Sequence, residues 1–207
     1  MKTTTPKALF NEKAEAYAER FMDQSKFHES LDLFLSSLNG KELKVLDVGC
    51  GPGNIGKYLL SKKPQLELTG IDLAPEMLRI AKTHCPTGNF IEMDAKNIGS
   101  IQEMFDGIVL GFCLPYLNKK EAIGLVETAC NMLNEEGCLY LSTMEDKNEN
   151  SRHQGPSSGG GPALFINFHE EGYLVETFTN SGLEVIKTFR MKDENSGNTD
   201  LVIIAKK

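Results

Sequence analysis

The sequence predicts an α/β fold, in which a parallel-dominated sheet is covered on both faces by helices. Short apolar runs that read as strands alternate with segments of helical apolar spacing along the 207 residues. The first such run leads into a glycine-rich turn, Gly49-Cys-Gly-Pro-Gly53, that opens a helix. No internal repeat and no change of composition marks a second domain, so residues 1–207 read as one unit.

Taken in order, Phe10, Ala14, Tyr17 and Phe21 recur at helical spacing, as do Phe27, Leu31, Phe34, Leu35 and Leu38. A break near Asp23 to Ser25 divides them into two amphipathic helices. Leu43 to Val48 reads as a buried strand, and Asn54 to Ser61 as a helix that packs Ile55, Tyr58, Leu59 and Leu60 inward. A second strand ends at Asp72, and Pro75 opens a helix to Thr83 at a position where proline is tolerated. Phe90 to Asp94 and Phe105 to Phe112 are further strands. Asn118 with Glu121 forms a capping box for a helix through Leu133, followed by a strand from Gly137 to Met144. Residues 145–162 contain Gly155-Pro-Ser-Ser-Gly-Gly-Gly-Pro162, too poor in apolar surface to order itself, and are expected to form a mobile loop. Beyond the alternation Leu164-Phe-Ile-Asn-Phe168, a helix starts near His169 and stops at Ser181-Gly182. Leu183 to Met191 and Leu201 to Ala205 complete the strands.

Composition narrows the function. A 40% hydrophobic content without a long apolar run describes a globular protein with no membrane span and no leader-like segment, hence a cytoplasmic default. The formal charge is −7, and the 22 basic residues never run beyond a pair, so nucleic acid is a poor partner. The five cysteines show no C-x-x-C pair, which predicts neither a disulfide framework nor a metal site.

The chemistry concentrates around Val45-Leu-Asp-Val-Gly-Cys-Gly-Pro-Gly-Asn54. Glycines at 49, 51 and 53 let a ligand approach the backbone, as in the first half of a mononucleotide-binding unit. A dinucleotide fingerprint would need glycine where Asn54 stands, and Asp47 would repel a diphosphate. A cationic sulfonium cofactor suits that carboxylate better. Asp72, nineteen residues after Gly53, is placed to accept from both ribose hydroxyls of a nucleoside.

Leu46-Asp-Val-Gly-Cys-Gly-Pro-Gly-Asn54, Gly70-Ile-Asp-Leu-Ala-Pro-Glu-Met77 and Phe90-Ile-Glu-Met-Asp94 resemble the successive motifs of class I S-adenosylmethionine-dependent methyltransferases, in particular their small-molecule members. The resemblance is close from about Leu43 to Met144. It implies a Rossmann-like three-layer sandwich with seven strands, the last antiparallel, plus an N-terminal helical extension. Residues 1–40 would form a helical lid, 41–144 the cofactor-binding half, and 145–207 the acceptor side. It also implies roles. Gly49, Cys50 and Gly51 would approach the methionine moiety of S-adenosylmethionine, with Asp47 organising the loop and the amino group. Asn54 opens the adjoining helix within the same cofactor site. Asp72 would hold the ribose, Leu73 and Met77 the adenosine, and Asp94 with the backbone of Ala95 the adenine amine. Gly111 and Phe112 would lie beneath the reactive end, and Tyr17 could touch the cofactor.

The expected acceptor is a small molecule, and the expected assembly a monomer or homodimer. Gly111-Phe-Cys-Leu-Pro-Tyr116 lacks the pattern of enzymes that methylate base amino groups. Positioning can supply much of such a transfer, so a dedicated base is optional. His153, His169 and Tyr116 are the candidates, with His28 and His84 expected on the surface. The alternatives are an NAD-dependent oxidoreductase, a non-catalytic S-adenosylmethionine-binding module, and a protein-methylating enzyme.

Overall fold

The computed structural model describes residues 3–155, 162–193 and 197–207. Among the described residues the structure has seven α-helices and nine strands. The helices are α1 (Pro6–Glu12), α2 (Ala14–Phe21), α3 (His28–Ser37), α4 (Asn54–Lys62), α5 (Pro75–His84), α6 (Lys119–Asn131) and α7 (Glu171–Asn180). The strands are β1 (Lys44–Val48), β2 (Glu67–Asp72), β3 (Asn89–Glu92), β4 (Phe105–Gly111), β5 (Leu133–Glu145), β6 (Arg152–Gln154), β7 (Leu164–Ile166), β8 (Glu184–Lys192) and β9 (Thr199–Lys206).

Seven strands form one sheet in the order β3-β2-β1-β4-β5-β9-β8. The pairs from β3 to β5 are parallel, whereas β9 runs antiparallel between β5 and β8. The fold is therefore the three-layer, Rossmann-like sandwich expected, with its final strand reversed. One face of the sheet packs Leu46, Val48, Ile108, Leu110 and Leu139 with α6 and α7. The other packs Val45, Val109, Tyr140 and Ile204 with α3, α4 and α5. Alternation along β1 sends neighbouring residues to opposite layers, which is why both faces of a near-continuous apolar run are buried.

Three local features differ from expectation. The first N-terminal helix is two, because the chain turns at Lys13 (φ −106°, ψ 14°) without any proline or glycine to announce it. Its partner α3 is a layer helix, with Leu31, Phe34 and Leu35 buried against the sheet, so residues 1–40 do not form a single lid. Within residues 145–162, β5 runs on to Glu145 and β6 pairs antiparallel with β7, His153 opposite Phe165. The expected mobility of the glycine-rich stretch concerns residues 156–161, which lie outside the described residues.

The capping box of α6 is present in full: Glu121 N–H donates to Asn118 Oδ1 and Asn118 N–H to Glu121 Oε2, both at 3.0 Å. Among the described residues no helix is long and apolar enough to cross a membrane.

Candidate cofactor and acceptor site

The sheet order reverses between β1 and β4, and the carboxyl ends of these strands are where an open α/β sheet leaves a crevice. The glycine turn occupies that end of β1. Gly49, Gly51 and Gly53 all have positive φ, at 71°, 52° and 80°. At Gly49 the need for glycine is also steric, since a Cβ there would stand 2.9 Å from Cβ of Cys113 in the turn after β4. The loop's amides are held within the fold. Gly49 N–H and Cys50 N–H donate to Ile71 O at 2.8 and 2.9 Å, and Gly51 N–H donates to Asp72 Oδ2 at 2.9 Å.

Asp72 ends β2 and also accepts from Ala74 N–H through Oδ1 at 2.8 Å. Partial burial pushes its carboxyl up, and the amides of Ala74, Gly51 and Leu73 pull it back down. Each carboxylate oxygen keeps a lone pair for a ligand hydroxyl. Leu73 beside it is half-buried. Asp94 Oδ1 accepts from Lys96 N–H at 2.9 Å and caps a short turn over Ala95–Ser100. Asp94 and Ala95 are both half-buried at the end of β3, one strand beyond Asp72.

Asp47 differs from the carboxylate at the turn's mouth that the sequence suggests. It is 1% exposed, lies beneath the start of α4, and neither oxygen has a hydrogen-bond partner. Burial first, then the charge of Asp72, pushes its pKa up to about 7. The Gly56 amide eases this slightly without forming a hydrogen bond. Cys50 likewise turns into the core beneath Gly70, so only its backbone lies in the loop.

The N-terminal helices cover this end of the sheet. The Tyr17 ring stands 3.9 Å from where a Cβ on Gly51 would be, and burial and then Asp72 push its phenol up to about 12. Met77 is sealed under α2 with Ala14 and Ala18. Asn54 Nδ2 donates to Phe21 O at 3.1 Å, and its Oδ1 accepts from Ile55 N–H. It fastens the end of α2 to the start of α4.

Gly111 and Phe112 close β4. A Cβ on Gly111 would meet Ile55 Cδ1 at 2.6 Å, and Phe112 takes φ +51° with its N–H donating to Ser142 O at 3.0 Å. A non-glycine residue at positive φ is uncommon and gathers at functional sites. Tyr116, in the next turn, packs edge-on to Phe10, with ring centroids 5.2 Å apart. Its phenol is held well above the usual range by burial, then by Tyr17, Asp72 and Cys113.

The two histidine candidates separate. His169 is fully buried; its Nε2–H donates to Leu114 O at 2.8 Å, and Nδ1 accepts from the Tyr173 hydroxyl. With both nitrogens engaged and burial lowering its pKa, it pins α7 to the turn after β4. His153 is exposed on β6, edge-on to Phe165 at 5.2 Å. Sequence reasoning also misplaced His84, which is half-buried with Nδ1 2.8 Å from Pro52 O of the glycine turn. Its position at the end of a helix aimed at that turn was the available signal. Among the described residues no group of three or more His, Cys, Asp or Glu could hold a metal.

Comparison with known proteins agrees with this geometry. A methyltransferase domain model matches residues 45–137. The demethylmenaquinone methyltransferase of Thermotoga maritima is 41% identical over 69 residues, covering 33% of this chain and 30% of that protein. Trans-aconitate 2-methyltransferase of Escherichia coli K12 is 34% identical over 97 residues, 47% of this chain and 37% of its own length. The matches thus span about a third of those relatives. Among solved structures, magnesium protoporphyrin IX methyltransferase from Synechocystis with bound S-adenosylmethionine superposes with TM-score 0.75 at 14% identity, over 97% of this chain and 94% of that one. Residues 45–137 are thus similar to a methyltransferase domain, and they are set in a fold shared with a class I S-adenosylmethionine-dependent methyltransferase.

Proposed function

We propose that this chain transfers a methyl group from S-adenosylmethionine to a small-molecule acceptor. The observation that carries the reading is Asp72, a half-buried carboxylate bonded to the Gly51 amide across a turn of three positive-φ glycines, at the point where the strand order reverses.

The residues fit the cofactor. Gly49, Gly51 and Gly53 carry no side chain to hold a ligand off the turn, Asp72 has lone pairs for the ribose hydroxyls, and Asp94 with the backbone of Ala95 stands at the next strand end for the adenine. Leu73 supplies apolar surface beside the nucleoside, with Met77 behind it seating the N-terminal helices. Tyr17 covers the turn, while Gly111 and Phe112 form the floor toward the acceptor. Asp47 acts through its charge rather than by contact, since it is buried below the loop. When bound, the cofactor supplies a methyl group on a positively charged sulfur, open to in-line displacement.

The chain's own contribution is orientation, which can supply on the order of 7–11 kcal/mol of barrier lowering. With His169 engaged on both nitrogens, Tyr116 remains the orienting group nearest the floor, and His153 the exposed imidazole on the adjoining ribbon. The relatives are named for acceptors that include demethylmenaquinone, trans-aconitate and a porphyrin, which supports a small molecule over nucleic acid. S-adenosylhomocysteine should raise the melting temperature and NADH should not, and Asp72→Ala should lose that protection. Protection by NADH alone, or protection unchanged in Asp72→Ala, would refute the reading.

A further inference from the structure

Two groups of aromatic side chains lie near the end of β4. On one side Phe112 packs edge-on to Phe27, centroids 5.5 Å apart with rings at 65°. On the other, Phe10 stands edge-on to both Tyr116 and Tyr17, at 5.2 and 5.5 Å with rings at 78° and 87°. All five rings are half-buried. Perpendicular pairs of this kind leave flat ring faces beside edges, the arrangement into which a further planar ring stacks.

The charge of the same region is one-sided. The carboxylates nearest it are Asp72 and the orphaned Asp47, and burial makes their fields long-ranged. The cations around it are engaged or outward. Lys26, close to Phe27, pairs with Asp200 at 2.7 Å. Arg20 lies over Phe21 on the exposed side of α2. Arg152 lies over Phe168, and Arg190 is held by Glu145 and Glu171. These cations, among the described residues, are thereby engaged elsewhere, and an acceptor carboxylate would enter against two buried acids. An ammonium acceptor would exchange its hydration for a site already shared with a sulfonium, and it carries no lone pair to attack with. An uncharged ring bearing a hydroxyl or a ring nitrogen meets neither obstacle.

We infer that the acceptor is a planar, uncharged aromatic molecule, seated between the Phe112–Phe27 pair and the Phe10–Tyr17–Tyr116 group. The inference rests on the methyl-transfer reading above. Chemically, the ring's nucleophilic atom forms the new bond to carbon as the carbon–sulfur bond breaks. A hydroxyl acceptor gives up its proton to solvent, a ring nitrogen without hydrogen takes over the positive charge, and in either case the sulfur keeps the electron pair.

The test uses the full chain loaded with S-adenosylhomocysteine, with calorimetric binding of three probes: 6-hydroxyquinoline, citrate and putrescine. Binding of S-adenosylhomocysteine is measured first, and its failure overturns the methyl-transfer reading itself. With that binding intact, 6-hydroxyquinoline should bind at least tenfold more tightly than citrate or putrescine. Phe27→Leu, which leaves the loop after β4 unchanged, should weaken it about tenfold with the S-adenosylhomocysteine affinity and the melting transition retained. Equal or tighter binding of citrate or putrescine would overturn the inference. So would absence of 6-hydroxyquinoline binding, or a Phe27→Leu variant that binds it as well as the parent. Should Phe27→Leu fail to fold, Phe10→Leu carries the same expectation from the opposite wall.

Discussion

Asp47 sets a cost that the rest of the molecule offsets. Folding raises its pKa from 3.8 to about 7, so its contribution to stability is whole below about pH 4 and is lost as pH climbs through about 7. Asp72, also raised, acts in the same direction. Asp47→Asn, uncharged throughout, should therefore stabilise the ligand-free chain at pH 8 by roughly 2–4 kcal/mol, read from denaturant titration. At pH 4 the gain should vanish. The same variant should bind S-adenosylmethionine more weakly while its affinity for S-adenosylhomocysteine, which lacks the sulfonium charge, changes less. His169 titrates with the opposite sign: its lowered pKa gives stability that is complete above about pH 6.5 and lost as pH falls. His169→Ala should cost about 2–4 kcal/mol by leaving the Leu114 carbonyl unpaired and a cavity behind. Its affinity for S-adenosylhomocysteine should be unchanged, because the ring holds α7 and does not reach the ligand.

Elements with local signals were legible in the sequence. The Asn118 and Glu121 pair defined the start of α6, and Asn118→Ala should cost about 1 kcal/mol in thermal or urea unfolding. Asp72 was legible because the strand, turn and helix preceding it have a nearly fixed length. The turn at Lys13 was not, since nothing in its side chain dictates a break and it is the packing of α1 on β7 and α2 on α5 that divides them. The alternation from Leu164 to Phe168 marked β7, but its partner β6 escaped because Arg152–Gln154 is three polar residues with no apolar alternation to register. Partners made by tertiary approach were equally silent: Asn54 with the Phe21 carbonyl, His84 with Pro52, and Cys113 with Gly49. The last supports a direct test. Gly49→Ala needs a left-handed φ and 2.9 Å clearance from Cys113 together, so it should destabilise by about 2 kcal/mol or more and weaken cofactor binding.

At the scale of the molecule, two apolar clusters outside the main layers hold α1 and α2. Leu9 packs with Leu164, Ile166 and Phe168, while Ala14 and Ala18 pack with Met77 and Ile80. Ion pairs such as Lys7–Glu92 at 2.7 Å are exposed at the same seams and contribute little. Raising salt from 0.05 to 0.5 M should therefore change the S-adenosylhomocysteine Kd by less than about threefold, whereas Leu9→Ala should weaken it more. A strongly salt-dependent Kd would show that charge, not packing, seats these helices.

The first segment of the chain leans on both halves of the crevice: the Thr3 bridge to Ala163 and Leu9 reach the β7 side, while Asn11 accepts from Glu76 N–H at 3.1 Å on the nucleoside side. On the methyl-transfer reading, one segment therefore borders both the cofactor side and the acceptor side. Spent nucleoside and methylated product would depart through a single hinged opening, so that rapid-quench measurements should show a burst of product followed by slower turnover at the pace of that swing.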